Sequence, residues 1–289
     1  MKQRNKILIT GSGGFLGTRL CRHFEKMSEY ELIQAHREQP DLSDQEGVLR
    51  FFQTVRPDYL IHCAAISDLR ACEEDPKGSY QVNVEYTRNL ARACSSYGVK
   101  MIFCSSDQVY LKNGVQTPHQ ETEALKPPHH YGKQKMEAEE LILNHLSDAV
   151  CLRLSWMYDF VKLSSWEHDQ LYVILQNALK NHETLSFSVH DKRSITCVRE
   201  VARQMEKTFD LPGGVYNFGS ENQYTTYEVV GRMLEIMNAD PAVIIKDEKA
   251  FSDDPRNLCM DLEKIRKYGI DLQDTLTGFQ DAFERFINQ

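Results

Sequence analysis

Two residues that could move a proton, Tyr131 and Lys135, lie four positions apart in the string Tyr-Gly-Lys-Gln-Lys. Residues four apart on a helix share a face, so the phenol and the ammonium can point into one cleft. A neighbouring ammonium favours the phenolate and lowers the pKa of a tyrosine, which is otherwise about 10. The pairing suits proton transfer to a carbonyl, although both residue types are also common on solvated helix faces.

A glycine cluster near the start of the chain predicts a dinucleotide site. The apolar run Lys6–Thr10 is typical of a strand, and apolar residues recur at helical spacing from Leu16 onward. The glycines between them are Gly11, Gly13, Gly14 and Gly17. Such glycines allow a tight turn, close approach of a pyrophosphate, and packing of the helix on the strand. The helix N-terminus would then face the anion with unpaired N–H donors.

The end of the second predicted strand bears on which dinucleotide binds. That strand, Glu31–His36, leads into Arg37 rather than into the Asp or Glu typical of sites that prefer NAD. His36 and Arg37 could instead bind the 2′-phosphate of NADP, and a solvated Arg37 is the alternative. We therefore favour NADP, as NADPH, and leave NAD open.

Composition indicates a soluble enzyme of the cytoplasm. The 289 residues carry 34 Lys and Arg against 42 Asp and Glu, a net charge of −8. With no basic block and no long apolar run, nucleic acid and membrane are not expected partners. The eight cysteines include no Cys-x-x-Cys pair, so we expect reduced thiols and no metal site.

Strand and helix patterns alternate through the first 155 or so residues. The strand-like runs Tyr59–Ala65 and Lys100–Ser106 flank a predicted helix, Val84–Tyr97. This alternation predicts a Rossmann-type α/β fold with a doubly wound parallel sheet, whose ligands lie beyond the carboxyl ends of the strands. Small residues end two of these strands, Ala64-Ala65 and Ser105-Ser106, and leave room for the nicotinamide half of a cofactor.

The rest of the chain predicts a smaller C-terminal lobe. We place an NAD(P)-binding domain at 1–156 and a substrate-binding lobe at 157–289, with the chain partly threaded back onto the sheet. The expected elements of the lobe include a helix at Leu171–Lys180, strands at Thr184–Val189 and Val215–Gly219, and a helix at Thr226–Met237.

Several motifs together carry a resemblance. They are Thr10–Gly17, His62–Ala65, Ser105–Tyr110, Tyr131-x-x-x-Lys135, Leu152–Tyr158 and Asp254–Asn257. The chain resembles the extended short-chain dehydrogenase/reductases, and within them the family of dTDP-4-dehydrorhamnose reductase and its sugar-nucleotide-binding relatives. The resemblance implies reduction by NAD(P)H of the 4-keto carbon of a nucleotide-linked 6-deoxysugar.

The resemblance also assigns the catalytic roles. Ser106 would hydrogen-bond the carbonyl oxygen and stabilise its developing charge. Tyr131 would protonate the emerging alkoxide, and Lys135 would hold Tyr131 acidic and bind the nicotinamide ribose. The alternatives are a turn at the strand end for Ser106 and a surface position for Lys135.

Further positions follow from the same resemblance. The implied cofactor-binding residues are Gly11, Gly13, Gly14, Phe15, Leu16, Gly17, His36, Arg37, Asp41, Leu42, Cys63, Ala64, Ala65, Ser67, Asn83, Ser105, Tyr131 and Lys135. The implied substrate-binding residues are Ser67, Ser106, Asp107, Trp156, Arg193 and Arg256. Asn83 would organise a water near Lys135. Asp41 or Ser43 could instead cap the next helix, and Trp156 could be a core residue.

Some substrate-facing positions depart from the family pattern. Gln108 stands where the reductases usually carry an aromatic residue, and His190–Thr196 replaces their usual segment. Two other functions therefore stay open. One is a sugar-nucleotide epimerase or dehydratase with tightly held NAD, and the other is a non-catalytic NADP-binding subunit similar to the regulatory subunit of methionine adenosyltransferase. A homodimer is likewise left open.

Overall fold

The computed structural model describes residues 4–35, 40–164 and 167–288, so the expectations for His36 and Arg37 lie outside the described residues. The strands are β1 (Asn5–Thr10), β2 (Tyr30–Ala35), β3 (Tyr59–His62), β4 (Lys100–Ser106), β5 (Val150–Leu154), β6 (Trp156–Tyr158), β7 (Leu185–Ser188), β8 (Asp191–Arg193), β9 (Ile195–Cys197), β10 (Gly214–Phe218), β11 (Ile244–Asp247) and β12 (Arg256–Leu258).

The α-helices alternate with these strands. They are α1 (Phe15–Phe24), α2 (Gln45–Val55), α3 (Leu69–Glu74), α4 (Pro76–Tyr80), α5 (Tyr86–Tyr97), α6 (His130–His145), α7 (Leu171–Asn181), α8 (Val198–Gln204), α9 (Thr226–Ile236), α10 (Glu263–Arg266) and α11 (Thr275–Ile287). A π-helical turn, Gln81–Glu85, joins α4 to α5. Among the described helices, none combines the length and apolar character that a membrane span needs.

Six parallel strands form the central sheet in the order β10-β5-β4-β3-β1-β2. β1 pairs with β2 on one side and with β3 on the other, so Ile7 lies opposite both Leu32 and Tyr59. The strand order reverses at this point, and in open α/β sheets the crevice beyond such a reversal is where ligands bind. The predicted doubly wound Rossmann-type fold is confirmed.

The core of the sheet explains why its strands carry continuous apolar runs. Met101 and Phe103 of β4 are fully buried, and they pack in one cluster with Leu90 of α5 and Ile142 of α6. Helices cover the faces of a parallel sheet, so its inner strands are not expected to alternate with polar residues. Burial of a side chain such as Phe103 contributes about 1.5–3 kcal/mol.

Two compact units divide the chain. The first comprises residues 1–109, 125–153 and 202–216, and the second comprises 110–124, 154–201 and 217–289. The second unit contains the two-stranded pairs β6 with β9, β7 with β11, and β8 with β12. Its core includes Tyr158, Phe160 and Phe279, whose rings lie 5.5–5.8 Å apart.

Candidate active site

The glycine turn after β1 has the geometry that its sequence predicts. Gly11 adopts a φ of +70°, and a Cβ there would lie 2.7 Å from the backbone nitrogen of Ala64. A Cβ on Gly17 would overlap the carbonyl oxygen of Gly11. Both positions therefore need glycine, one for its φ and both for close packing. The turn also contacts the end of β2, because Ser12 Oγ donates to Ala35 O at 3.0 Å.

The turn leads directly into α1, which suits an anion. Gly14 occupies the N-cap in an extended conformation and Phe15 begins the helix. The first-turn N–H groups and the helix dipole then favour a phosphate at this end. A Cβ on Gly13 would meet nothing within 4 Å among the described atoms, so space remains beside the backbone there. The neighbouring Leu16 is buried and packs away from solvent.

Asn83 clamps the loop that follows β3. Its Oδ1 accepts from Ile66 N at 2.8 Å, and its Nδ2 donates to Ile66 O at 2.9 Å and to Gln134 Oε1 at 2.8 Å. These bonds hold the segment that directly follows Cys63, Ala64 and Ala65. Asn83 lies in the π-helical turn, a distortion that is frequent at functional sites. The Asn83 side chain thus positions this loop.

Other positions assigned to the cofactor have local partners. Asp41 Oδ1 accepts from the N–H and the hydroxyl of Ser43 at 2.9 and 2.7 Å, while Asp44 occupies the N-cap position of α2 without a capping hydrogen bond from its side chain. The capping role considered for Asp41 or Ser43 is therefore wrong. Leu42 packs against the core of the sheet, and Ser67 is exposed.

Ser106, Tyr131 and Lys135 are all buried in the first unit. Lys135 Nζ donates to Cys104 O at 2.8 Å and lies 5.8 Å from the centre of the Tyr131 ring. Ser106 ends β4, and Tyr131 and Lys135 lie in the first half of α6. The structure thus brings the three proposed catalytic groups to one end of the sheet.

The start of α6 explains the glycine in the Tyr-Gly-x-x-Lys motif. His129 caps the helix, and its Nδ1 accepts from Gly132 N at 2.9 Å. A Cβ on Gly132 would lie 2.6 Å from Pro127 Cβ and 2.9 Å from Gln108 O. Glycine therefore lets the segment that carries Tyr131 pack closely against the turn after β4.

Burial dominates the ionisation of the two titratable groups. Desolvation raises the pKa of Tyr131, and the hydroxyl of Ser106 opposes that rise. Desolvation also lowers the pKa of Lys135 to about 8. The expected lowering of the Tyr131 pKa by Lys135 is therefore wrong, because burial of the phenol has the largest effect and raises that pKa. Tyr131 therefore stays protonated at neutral pH, the form in which it can donate a proton.

The turn after Ser106 is rich in polar contacts. Asp107 Oδ1 accepts from Ser106 Oγ at 3.3 Å and from Gln108 Nε2 at 3.1 Å. Gln108 Oε1 and His129 Nε2 are buried without a hydrogen-bond partner among the described residues. An unsatisfied buried polar atom costs about 1–3 kcal/mol, so such atoms beside Tyr131 are typical of a site that binds a polar molecule.

The second unit contains the remaining positions assigned to substrate. The guanidinium carbon of Arg193 lies 4.6 Å from the centre of the Trp156 ring, so the structure brings these two residues together. Arg256 forms two 2.7 Å hydrogen bonds with the carboxylate of Asp191. Arg256 therefore holds β12 against β8, a structural contact that no local sequence pattern indicates.

The Asp191–Arg256 pair predicts loss of stability in acid. Burial disfavours the charged form of Asp191, but hydrogen bonds and charge from Arg256, aided by Thr226, hold its pKa below the usual value. Because its pKa is lower in the folded state, its stabilising contribution is complete above the unfolded value of about 3.9 and is lost as pH falls through the folded value. We expect Asp191→Asn to lower the free energy of unfolding at pH 7 by about 3 kcal/mol, measured by urea denaturation.

The control for this experiment is Glu263→Gln, which removes an exposed partner of Lys267. Exposed pairs contribute about 0–1 kcal/mol, so this variant should match the parent protein. The stability deficit of Asp191→Asn should narrow as the pH falls below about 4, since the parent loses the same charge. An Asp191→Asn protein as stable as the parent at pH 7 would contradict the structural role.

In the part of the chain that the structure describes, the thiols and the possible metal ligands form no further site. All eight cysteines are free thiols in the described residues, and Cys63 Sγ lies 3.5 Å from Cys104 Sγ. Within residues 4–35, 40–164 and 167–288, no group of three His, Cys, Asp or Glu side chains is placed to hold a metal ion.

Comparison with known proteins places this chain in a family. Residues 5–289 match the family described as RmlD substrate binding domain. Spore coat polysaccharide biosynthesis protein SpsK of Bacillus subtilis is 28% identical over 242 residues, 83% of this chain and 82% of that protein. Methionine adenosyltransferase 2 subunit beta of Mus musculus is 26% identical over 298 residues, 98% of this chain and 88% of that protein.

A solved structure agrees in fold. The dTDP-4-dehydrorhamnose reductase of Bacillus anthracis, crystallised with NADP, superimposes with a TM-score of 0.86 at 20% identity and covers 99% of both chains. The resemblance drawn from the glycine turn and the Tyr-Gly-x-x-Lys motif is thereby confirmed. With the family match extending from the first strand to the end of the chain, this protein belongs to the RmlD substrate binding domain family and has the extended short-chain dehydrogenase/reductase fold seen in the dTDP-4-dehydrorhamnose reductase of Bacillus anthracis.

Proposed function

We propose that the protein is an NAD(P)H-dependent reductase of a nucleotide-linked 4-keto-6-deoxysugar. The observation that carries the proposal is the burial of Ser106, Tyr131 and Lys135 in the same unit as the glycine turn. A serine hydroxyl, a protonated phenol and an ammonium are the groups that reduction of a ketone needs beside a dinucleotide. Membership in the RmlD substrate binding domain family supports the same reaction.

The residues of the glycine turn fit a dinucleotide. Gly11 and Gly17 allow the tight turn, Gly13 leaves space beside the backbone, and the N–H groups at the start of α1 would hold the pyrophosphate. When bound, the reduced nicotinamide would supply the hydride. NADP is the cofactor we favour, supported by the NADP in the reductase from Bacillus anthracis.

The side chains of this protein would handle the oxygen and the proton. Ser106 Oγ would leave Asp107 and donate to the carbonyl oxygen, where negative charge develops. Tyr131, which is protonated at neutral pH, would transfer its proton to that oxygen. Lys135, fixed by Cys104 O, would stabilise the phenolate that results. In the second unit, Trp156 and Arg193 are proposed to contact the sugar nucleotide.

The test is oxidation of NADPH and NADH by the purified protein, followed through the absorbance of the reduced nicotinamide. The assays would compare no substrate, a dTDP-4-keto-6-deoxysugar and a UDP-sugar. We expect oxidation with the keto-sugar only, and faster with NADPH. No oxidation, with NAD released only on denaturation, would replace the proposal with an epimerase or dehydratase.

A second candidate function has a specific observation in its favour. Methionine adenosyltransferase 2 subunit beta aligns with 98% of this chain, nearly as similar in sequence as the polysaccharide biosynthesis protein. A protein of this kind would bind NADP and a catalytic partner without turning over a sugar. Co-purification with a methionine adenosyltransferase catalytic chain, together with no turnover of any keto-sugar, would favour this function.

A further inference from the structure

A third residue shares the helix face of Tyr131 and Lys135. Glu139 lies four positions beyond Lys135 and eight beyond Tyr131, so all three side chains leave α6 on one side. Glu139 is 4% exposed, and a carboxylate is rarely so buried without partners of its own. Its hydrogen bonds among the described residues go to Ser105 and Arg153.

Two partners on neighbouring strands bind this carboxylate. Arg153 of β5 donates from Nη2 to Oε2 at 2.7 Å and from Nε to Oε1 at 3.1 Å. Ser105 of β4 donates its hydroxyl to Oε1 in a short hydrogen bond. β4 and β5 are adjacent in the sheet, so Glu139 joins both strands to α6.

The hydrogen bond between Ser105 and Glu139 lies next to the proposed catalytic groups. Ser105 directly precedes Ser106, the residue proposed to bind the carbonyl oxygen. On its other side, the carbonyl of Cys104 accepts from Lys135 Nζ at 2.8 Å. Consecutive residues of β4, Cys104 and Ser105, therefore bind consecutive turns of α6, through Lys135 and Glu139.

Stability alone does not account for the arrangement. A buried ion pair is seldom more stabilising than well-packed apolar side chains of similar volume, because both charges must lose their water. Arg153 already donates to both carboxylate oxygens of Glu139. The bond from Ser105 is additional, and its result is a fixed distance between the end of β4 and α6.

We propose that Glu139 is a positioning residue which, through Ser105 and with Arg153 fixing its carboxylate, sets the Ser106 hydroxyl at the right place relative to Tyr131. The inference rests on the proposed reductase function, because the alignment matters where both groups must reach one carbonyl oxygen. Misplacement of reacting groups by about 1 Å can lower a rate about 100-fold.

The direct test is Ser105→Ala, which removes the link and keeps the Glu139–Arg153 pair. We expect kcat to fall about 10- to 100-fold. Hydrogen–deuterium exchange should rise in the peptide that contains Ser106 and Asp107. The matched control is Ser188→Ala, which also removes a buried hydroxyl, one that donates to Ala250 O in the second unit at 2.7 Å. Its kcat and its exchange at Ser106 should equal those of the parent.

A second variant separates positioning from folding. The double change Glu139→Leu with Arg153→Met replaces the pair by apolar groups, so the protein should fold without a buried unpaired charge. We expect a loss of kcat similar to that of Ser105→Ala, and combining all three changes should add little, because they act through one link. A folded double variant with the kcat of the parent would overturn the proposal.

The exchange measurement needs no substrate, so it distinguishes the two proposals. Faster exchange at Ser106 in Ser105→Ala, in a protein that reduces no keto-sugar, supports the positioning link and overturns the reductase function. Unchanged exchange and unchanged kcat in Ser105→Ala overturn the positioning link and leave the reductase function standing.

Discussion

Replacing Tyr131 by phenylalanine should lower kcat about 100-fold or more with the keto-sugar while leaving NADPH affinity nearly unchanged. The substitution removes one oxygen, the proposed proton donor, and general acid catalysis of this kind contributes about 10²–10⁴-fold. The ring remains to fill its buried position, so the fold should be preserved. Steady-state kinetics and titration of NADPH fluorescence would measure the two quantities separately.

The matched control for this variant is Tyr216→Phe. Tyr216 is also buried in the first unit, and its hydroxyl donates to Pro212 O at 2.8 Å. Its loss should cost about 1 kcal/mol of stability and leave kcat unaltered. If Tyr131→Phe turned over the sugar at a rate near that of the parent, another group would have to supply the proton.

Substitution of Gly17 by alanine should abolish measurable NADPH binding and destabilise the fold. The added Cβ would overlap the carbonyl oxygen of Gly11, which is backbone and cannot rotate away. Either the turn or the start of α1 must then move, at a cost of about 1–3 kcal/mol or more. Urea denaturation would measure the loss of stability, and NADPH titration would measure the loss of binding.

Gly13→Ala provides the contrasting variant. Its Cβ would meet nothing within 4 Å among the described atoms, so the fold should be as stable as the parent. The methyl group would occupy space where the pyrophosphate is proposed to approach, so we expect NADPH affinity to fall about tenfold or more. Equal NADPH affinities for Gly13→Ala and the parent would show that the dinucleotide does not follow the glycine turn.

Local patterns in the sequence predict much of the fold. The strand predicted at Lys100–Ser106 is β4 without change, and the helix predicted at Leu171–Lys180 ends one residue later. The helix predicted from Val84 begins instead at Tyr86, because the π-helical turn Gln81–Glu85 precedes it. Hydrophobic periodicity indicates that a segment is helical. It does not distinguish an α-helical turn from a π-helical turn, in which the hydrogen bond spans one more residue.

Contacts between distant residues are the part that the sequence did not reveal. Asp191 lies 65 positions from Arg256, and Ser105 lies 34 positions from Glu139. In the sequence, each of these residues looks like an ordinary polar residue of a strand or a helix. Only the register of β8 with β12, and the packing of α6 on β4, bring the partners together. The motif that assigns Arg256 to substrate binding gives no sign of the hydrogen bonds between Arg256 and Asp191.

The position of β10 has a consequence for the order in which the protein can fold. β5 forms hydrogen bonds with β4 on one side and β10 on the other, and all five of its residues are buried. During synthesis, more than fifty residues must follow β5 before β10 leaves the ribosome. Until then β5 is an apolar edge strand, the kind of surface that pairs with other chains. A chain cut after residue 156 should therefore aggregate, although it would contain the complete glycine turn and Tyr131.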